Sequence, residues 1–271
     1  MTARRLVALD VDGTIVHEDN TLSRSVYDTI REVGAAGHEI VIATGRSYGA
    51  TFEVCHRLDI RPAYLVCANG AQVMRLAHPE SDGEDAYVSD RVEVFDAGPV
   101  LERVRERFPE GNYMVENGQG VRRYTNENLG WDISAGERVP FERLAEEPAM
   151  RVVVESPSHD AEEFLAIVDG MGLHRVSYTV GFSSWLDISP DGVNKSTGLD
   201  YVIEKLGIAR DRVFSAGDGR NDIEMLQWTA AGGGVAVSMG QAPKVVHDAA
   251  NQRTGDVLED GLVDALRTHV L

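Results

Sequence analysis

Short apolar runs that end abruptly in polar, glycine-containing loops recur at both ends of this chain, and they constrain the fold more than any other feature. Leu6 to Leu9 stops at Asp10-Val-Asp-Gly-Thr14; residues 40–43 stop at Thr44-Gly-Arg46; residues 64–68 stop at Asn69-Gly70; residues 213–216 stop at Gly217-Asp-Gly-Arg-Asn-Asp222. Apolar runs this short, bounded by turn signals, read as strands buried on both faces. Helical periodicity lies between them. Ser23 offers an N-cap to a stretch with Val26, Ile30 and Val33 that ends at Gly37. Further helices are expected over about 48–58, 196–206, 221–228 and 242–250, and a further strand over 234–237. Strands alternating with helices predict right-handed β-α-β units and a parallel sheet. The expected fold class is α/β, with a Rossmann-like parallel-sheet core.

From about residue 81 to 189 the rhythm changes. Strand-like pieces at 113–116, 121–124, 151–155 and 176–180 mix with helical candidates at 100–108 and 161–171, which reads as an inserted α+β domain. The expected organisation is a core of residues 1–80 plus 190–271 with an inserted domain over 81–189. Charge sharpens the division: of the net −18, residues 82–188 carry −12 and no lysine, and the remainder carries −6. Such acidity argues against nucleic acid or an anionic membrane surface as partner, and any bound anion must meet a local cation. Only Lys195, Lys205 and Lys244 are lysines, against 23 arginines. Cys55 and Cys67 form no C-x-x-C pair and no disulfide framework, so a cytoplasmic location is expected. The apolar run before Asp10 is too short for a signal peptide, and no stretch of about 18 apolar residues is present to span a membrane. The sequence sets no oligomeric state.

In an open parallel sheet, ligands bind outside the carboxyl ends of the strands, and the polar loops occupy such ends. Asp10-x-Asp12 places two carboxylates just past a strand. Gly217 to Asp222 adds Asp218, Asp222 and Asn221, hard oxygen groups suited to Mg²⁺. Thr44 and Gly45 offer a hydroxyl and backbone N–H groups to a phosphate oxygen, and Lys195 supplies a compact charge just before an expected helix. Each has an ordinary structural alternative, namely an acidic turn, a capped glycine-rich turn, a helix cap and a surface lysine. Their convergence on strand ends is what argues for a site.

Taken in order, Asp10-Val-Asp-Gly-Thr14, Thr44-Gly-Arg46, Lys195 and Gly217-Asp-Gly-Arg-Asn-Asp222 resemble the four motifs of the haloacid dehalogenase (HAD) superfamily of phosphatases. The insertion, with Ile42-Ala-Thr-Gly-Arg46 and Ala68-Asn-Gly-Ala71, resembles the Cof-type branch with a subclass IIB, type C2B, α+β cap, and the likeness covers the whole chain. Ser196 stands where this branch often has Gly, and a usual C-terminal Asn-Asp-Glu-Asp-Gly-Val is reduced to Gly255-Asp-Val-Leu-Glu-Asp-Gly-Leu262.

The resemblance implies a phosphate monoester hydrolase that works through an aspartyl-phosphate, with Asp10 as nucleophile and Asp12 as general acid and then base. It implies Mg²⁺ held by the Asp10 carboxylate, the Asp12 backbone carbonyl and Asp218, with Asp222 beside them. Thr44, Gly45, Lys195 and Asn221 then bind the phosphoryl oxygens. Cations are physically required: two like unit charges 4 Å apart repel by about 4 kcal/mol at an effective dielectric near 20. The implied substrate is a small phosphorylated metabolite such as a sugar phosphate, and the acidity favours a neutral or lightly charged leaving alcohol. The insert reads as a lid, with Tyr113, Arg123, Tyr124, Trp131 and Trp185 as candidate contacts that packing explains equally well.

Four other readings stand beside this one. A phospho-accepting receiver module uses similar residues but has no need of an insertion of about a hundred residues. A D-x-D glycosyltransferase leaves Lys195 and the 217–222 segment without roles. A phosphomutase-like relative and a non-enzymatic Mg²⁺ and phosphate-binding protein share the same motifs.

Overall fold

The computed structural model describes residues 4–126, 136–173, 176–180 and 185–271. It divides into two units, Met1–Arg91 with Asn194–Leu271, and Val92–Val193. The chain enters the first unit through β1 (Leu6–Leu9), α1 (Arg24–Ala35), β2 (Glu39–Ala43), α2 (Tyr48–Arg57), β3 (Tyr64–Cys67), β4 (Gln72–Leu76) and β5 (Tyr87–Val92). It builds the second with α3 (Gly98–Arg107), β6 (Asn112–Asn117), β7 (Arg122–Tyr124), β8 (Gly136–Arg138), β9 (Ala149–Glu155), α4 (Ala161–Met171), β10 (Val176–Val180) and β11 (Trp185–Pro190). It then returns with α5 (Lys195–Leu206), β12 (Val213–Gly217), α6 (Ile223–Ala231), β13 (Val235–Ser238), α7 (Lys244–His247), β14 (Gln252–Arg253) and α8 (Gly261–His269).

In the first unit the strand order is β14-β13-β12-β1-β2-β3-β4-β5. Pairing is parallel from β14 to β3, and β3 to β4 is antiparallel. This is the α/β architecture expected from the buried apolar runs. Successive residues of a strand point to opposite faces, and β1 shows the result. Val7 and Leu9 join Ile30, Val33, Leu262 and Leu266 on one side of the sheet, while Leu6 and Ala8 join Leu199, Val202 and Met225 on the other. Strand register sets the exits level with one another: Leu9 lies opposite both Ile42 and Ala216, so β1, β2 and β12 release their chains at nearly the same height.

The second unit is a six-stranded sheet in the order β10-β11-β9-β6-β7-β8, antiparallel except between β7 and β8. One face packs Tyr113, Val115, Val152, Val154, Leu186 and Ile188 against the α3 and α4 side chains Val104, Phe164 and Val168. The other face carries Met114, Tyr124 and Val153, and a buried ion pair in which Arg151 donates twice to Asp187, both at 2.9 Å.

Several boundaries differ from the sequence reading. The strand expected over 64–68 stops at Cys67, because Ala68 and Asn69 turn to φ 48° and 52°, both left-handed. The helix expected from 221 begins at Ile223, since a tight turn over Arg220–Asp222 is held by the Asp222 side chain. The helix expected over 242–250 is only Lys244–His247. The boundaries between the units fall at 91/92 and 193/194, and β5 belongs to the first sheet. No helix among the described residues is long and apolar enough to cross a membrane.

Candidate active site

Asp10 follows the last residue of β1, and its backbone N–H donates to Ala216 O of β12 at 3.1 Å, so its carboxylate leaves the sheet at a fixed height. Asp218 follows β12 and Thr44 follows β2 at the same edge of the sheet. Lys195 arrives from another direction as the first residue of α5, whose N-terminus is capped by Asn194 accepting from Ser196 N and Thr197 N. Gly70, at φ +96°, makes that approach feasible: a Cβ on it would lie 2.1 Å from the Asn194 carbonyl oxygen. Gly13 plays the same part beneath Asp218. Its φ is +72°, and a Cβ would lie 2.1 Å from Asp218 Oδ2.

Lys195 is fully buried and donates to Asp10 Oδ1 at 2.6 Å and to Asp222 Oδ1 at 2.7 Å. Burial by itself lowers the lysine pKa, but the Asp10 and Asp222 carboxylates outweigh it and hold the ammonium above its ordinary range. The same burial, reinforced by the Asp222 charge and opposed by Lys195, pushes Asp10 well above the ordinary carboxylate value. Asp218 is pushed up to about 7, first by burial and then by Asp222. One ammonium thus faces three buried carboxylates, and the cluster is short of positive charge.

Oxygen atoms of Asp10, Asp218 and Asp222 all lie within 4.8 Å of one another. An all-carboxylate donor set suits a hard divalent cation such as Mg²⁺, and the charge shortage favours one, so these residues fit the ion. The three carboxylates are not equivalent. Asp222 Oδ2 accepts from Asp218 N at 3.0 Å and from Gly219 N at 2.9 Å while its Oδ1 takes Lys195, so Asp222 mainly holds the lysine and the turn. Asp218 Oδ2 accepts from Gln241 Nε2 at 3.2 Å, and the same nitrogen donates to Gly13 O at 2.5 Å. Asp10 and Asp218 are the residues best placed to offer oxygen to an ion.

Asp12 lies outside that cluster, its side chain 62% exposed and gripped by Arg46. Thr44 is buried, its Oγ1 accepting from Arg46 N at 3.1 Å and its carbonyl accepting from Asn69 N at 2.9 Å. Gly45 packs under the Asn69 side chain, and Asn221 Nδ2 donates to Asn69 Oδ1 at 3.1 Å. Asn69 therefore ties Gly45 and Asn221 together, a part that residue order alone does not suggest beyond marking a turn. Residue order likewise assigns no role to Gln241 or Arg46. Gln241 lies far along the chain in a loop with no motif, while Arg46 carries a signal, a cation two residues past Thr44.

The candidate contacts in the second unit fare differently. Tyr113 is buried and donates its hydroxyl to Phe108 O at 2.5 Å, which makes it packing. Arg123 pairs with Glu147 at 2.9 Å, and Trp185 lies beneath the Arg151 guanidinium at 5.7 Å. Tyr124 is buried in the small cluster with Met114 and Val153. Trp131 lies outside the described residues.

A family model for haloacid dehalogenase-like hydrolases matches residues 7–266. Among similar proteins, a 5-amino-6-(5-phospho-D-ribitylamino)uracil phosphatase of Bacillus subtilis is 26% identical, with 97% of each chain covered. A phosphoglycolate phosphatase of Natronomonas pharaonis is 29% identical, covering 96% of this chain and 95% of its own. A pyridoxal phosphate phosphatase of Escherichia coli is 27% identical, covering 98% and 99%. The fold is similar to that of a solved HAD subclass IIB sugar phosphatase, with a TM-score of 0.80 at 22% identity over 97% of this chain and 98% of that one.

Proposed function

The chain belongs to the haloacid dehalogenase-like hydrolase family and is a phosphatase, and from that premise we infer that it hydrolyses small phosphate monoesters with Mg²⁺ through an aspartyl-phosphate on Asp10. The observation that carries this reading is the buried Asp10, Asp218 and Asp222 cluster with Lys195 bonded to the carboxylate that would attack.

Mg²⁺, when bound by Asp10 and Asp218 beside the Asp12 carbonyl, supplies positive charge that offsets repulsion between carboxylate and phosphate. The chain's own residues do the rest. Asp10 presents an oxygen in line with the phosphorus while Lys195 fixes its orientation and faces the phosphoryl oxygens, with Thr44, Gly45 and Asn221 supplying hydrogen bonds. The Asp10–phosphorus bond forms as the ester bond breaks, and Asp12 gives its proton to the departing alcohol. Asp12, now a carboxylate, takes a proton from the water that releases phosphate. Splitting the displacement into two steps is the general advantage of a covalent intermediate.

Sugar phosphates and comparably small metabolites are the proposed substrates, in keeping with the activities named for similar proteins. We propose a cytoplasmic location, in keeping with the cysteine usage. The test is Asp10→Asn alongside the wild type, on p-nitrophenyl phosphate and a panel of metabolite phosphates with Mg²⁺ or EDTA. The variant should keep its fold and lose turnover, and acid-quenched wild type should carry phosphate on Asp10. Substantial hydrolysis by the variant sinks the nucleophile assignment, while Mg²⁺ binding without hydrolysis of any ester by the wild type favours the non-enzymatic reading.

A further inference from the structure

Asp12 is the end of a string of side chains. Arg46 grips it as a fork, Nε donating to Oδ2 at 3.1 Å and Nη2 to Oδ1 at 2.6 Å. The same Nη2 donates to Asn20 Oδ1 at 3.1 Å. Arg57, the last residue of α2, donates Nη1 to that oxygen at 3.1 Å and Nη2 to the Asn20 carbonyl at 2.8 Å. Asn20 is shaped for this place. Its φ of 64° is left-handed, a conformation asparagine tolerates, and its N–H closes the turn onto His17 O at 2.9 Å.

Stability is a poor explanation for the arrangement. Exposed ion pairs contribute little, and gathering two guanidinium groups on one amide oxygen brings like charges together. The string does supply direction. An arginine side chain has many rotamers, and a second anchor at Asn20, itself anchored by Arg57, selects the one that meets Asp12. The fork uses one lone pair on each carboxylate oxygen and leaves another on each for proton exchange.

Resting on the reading of Asp12 as proton carrier, we propose that Asn20 and Arg57 are positioning residues that act through Arg46. They hold the Asp12 carboxyl where its proton passes to the ester oxygen as the bond from that oxygen to phosphorus breaks and the bond from Asp10 forms. The alcohol leaves neutral, and Asp12 is left as a carboxylate. Neither Asn20 nor Arg57 touches the reacting atoms.

The test compares kcat/KM on p-nitrophenyl phosphate and phenyl phosphate, esters of similar shape whose leaving groups differ in their need for a proton. Asp12→Asn serves as the control, and its loss should be larger on phenyl phosphate, so that the ratio of the two values rises. Asn20→Gly, which keeps the left-handed turn but removes the shared oxygen, and Arg57→Gln should raise the same ratio by about fivefold. The double variant should be no worse than Asn20→Gly alone, because the two act in series. Equal losses on both esters, or an unchanged ratio while Asp12→Asn raises it, overturn the proposal and leave the proton-carrier reading intact. An unchanged ratio in Asp12→Asn itself overturns that reading and the proposal with it.

Discussion

Replacing Lys195 with methionine keeps most of the side-chain volume and removes the one ammonium bonded to the carboxylate cluster. At 2.6 and 2.7 Å each of its two ion pairs corresponds to about 6 kcal/mol of attraction at an effective dielectric near 20. Desolvation of three buried charges offsets much of that, and measured losses on breaking a buried pair run about 3 to 5 kcal/mol. The carboxylates are then left to one another: at the 4.8 Å limit of the cluster, each ionised pair repels by about 3 kcal/mol on the same scale. Lys195→Met should therefore lose about 3 to 5 kcal/mol in EDTA at pH 7.5, a fall in Tm of about 6 to 20 °C. Excess Mg²⁺ should recover part of the loss by supplying the missing charge, but turnover should stay depressed at least a hundredfold, as on removal of an oxyanion donor. Urea and thermal unfolding with and without Mg²⁺ measure both terms. A variant within about 1 kcal/mol of wild type in EDTA would refute the reasoning, since one partner of a buried pair cannot be removed so cheaply.

Gly13→Ala places a Cβ where Asp218 Oδ2 stands, at a left-handed φ, so Mg²⁺ affinity read from the metal-induced rise in Tm should fall about tenfold or more; wild-type affinity would show that the loop moves aside freely. Asp218 has a folded pKa of about 7 against an ordinary 3.8, so the metal-free folded state binds more protons than the unfolded chain between these values. The stability from this group is full below pH 4 and lost as pH rises toward 7. In EDTA, the stability of wild type minus that of Asp218→Asn should decline across the window, while Mg²⁺ stabilisation grows because the ion needs the ionised form; a rising difference reverses the sign and rejects the argument. In the second unit, Asp187→Ala leaves the Arg151 guanidinium buried without its bidentate partner and should cost about 3 kcal/mol in urea unfolding. Its Mg²⁺ binding should be unchanged.

The strand ends are legible because a fully buried parallel strand must be apolar throughout, so the first carboxylate after it announces where the sheet stops. Asp10, Thr44 and Asp218 are found that way, and the structure sets them at one edge because β1 pairs in register with β2 and β12. Lys195 stands out in the sequence for its rarity, yet only its distances show that it bonds Asp10 and Asp222 at once. The second sheet is harder to read. Strands β8 and β11 lie outside the strand-like pieces read from the sequence, and Tyr113, a candidate contact, proves to be packing, because side-chain direction on a two-sided sheet depends on the partners of each strand.

By itself the sequence determined the α/β class and pointed to a split core and to candidate carboxylates at the strand ends, since these follow from local rules about burial, turns and residue chemistry. Tertiary structure alone decided that Asn69 joins Gly45 to Asn221, that Gln241 steadies Asp218, and that Asn20 and Arg57 stand behind Arg46 and Asp12. These pairings join residues from 23 to 152 positions apart. No local propensity encodes them. They exist because sheet register and left-handed turns bring distant loops to the same edge, where hydrogen-bond geometry then chooses the partners.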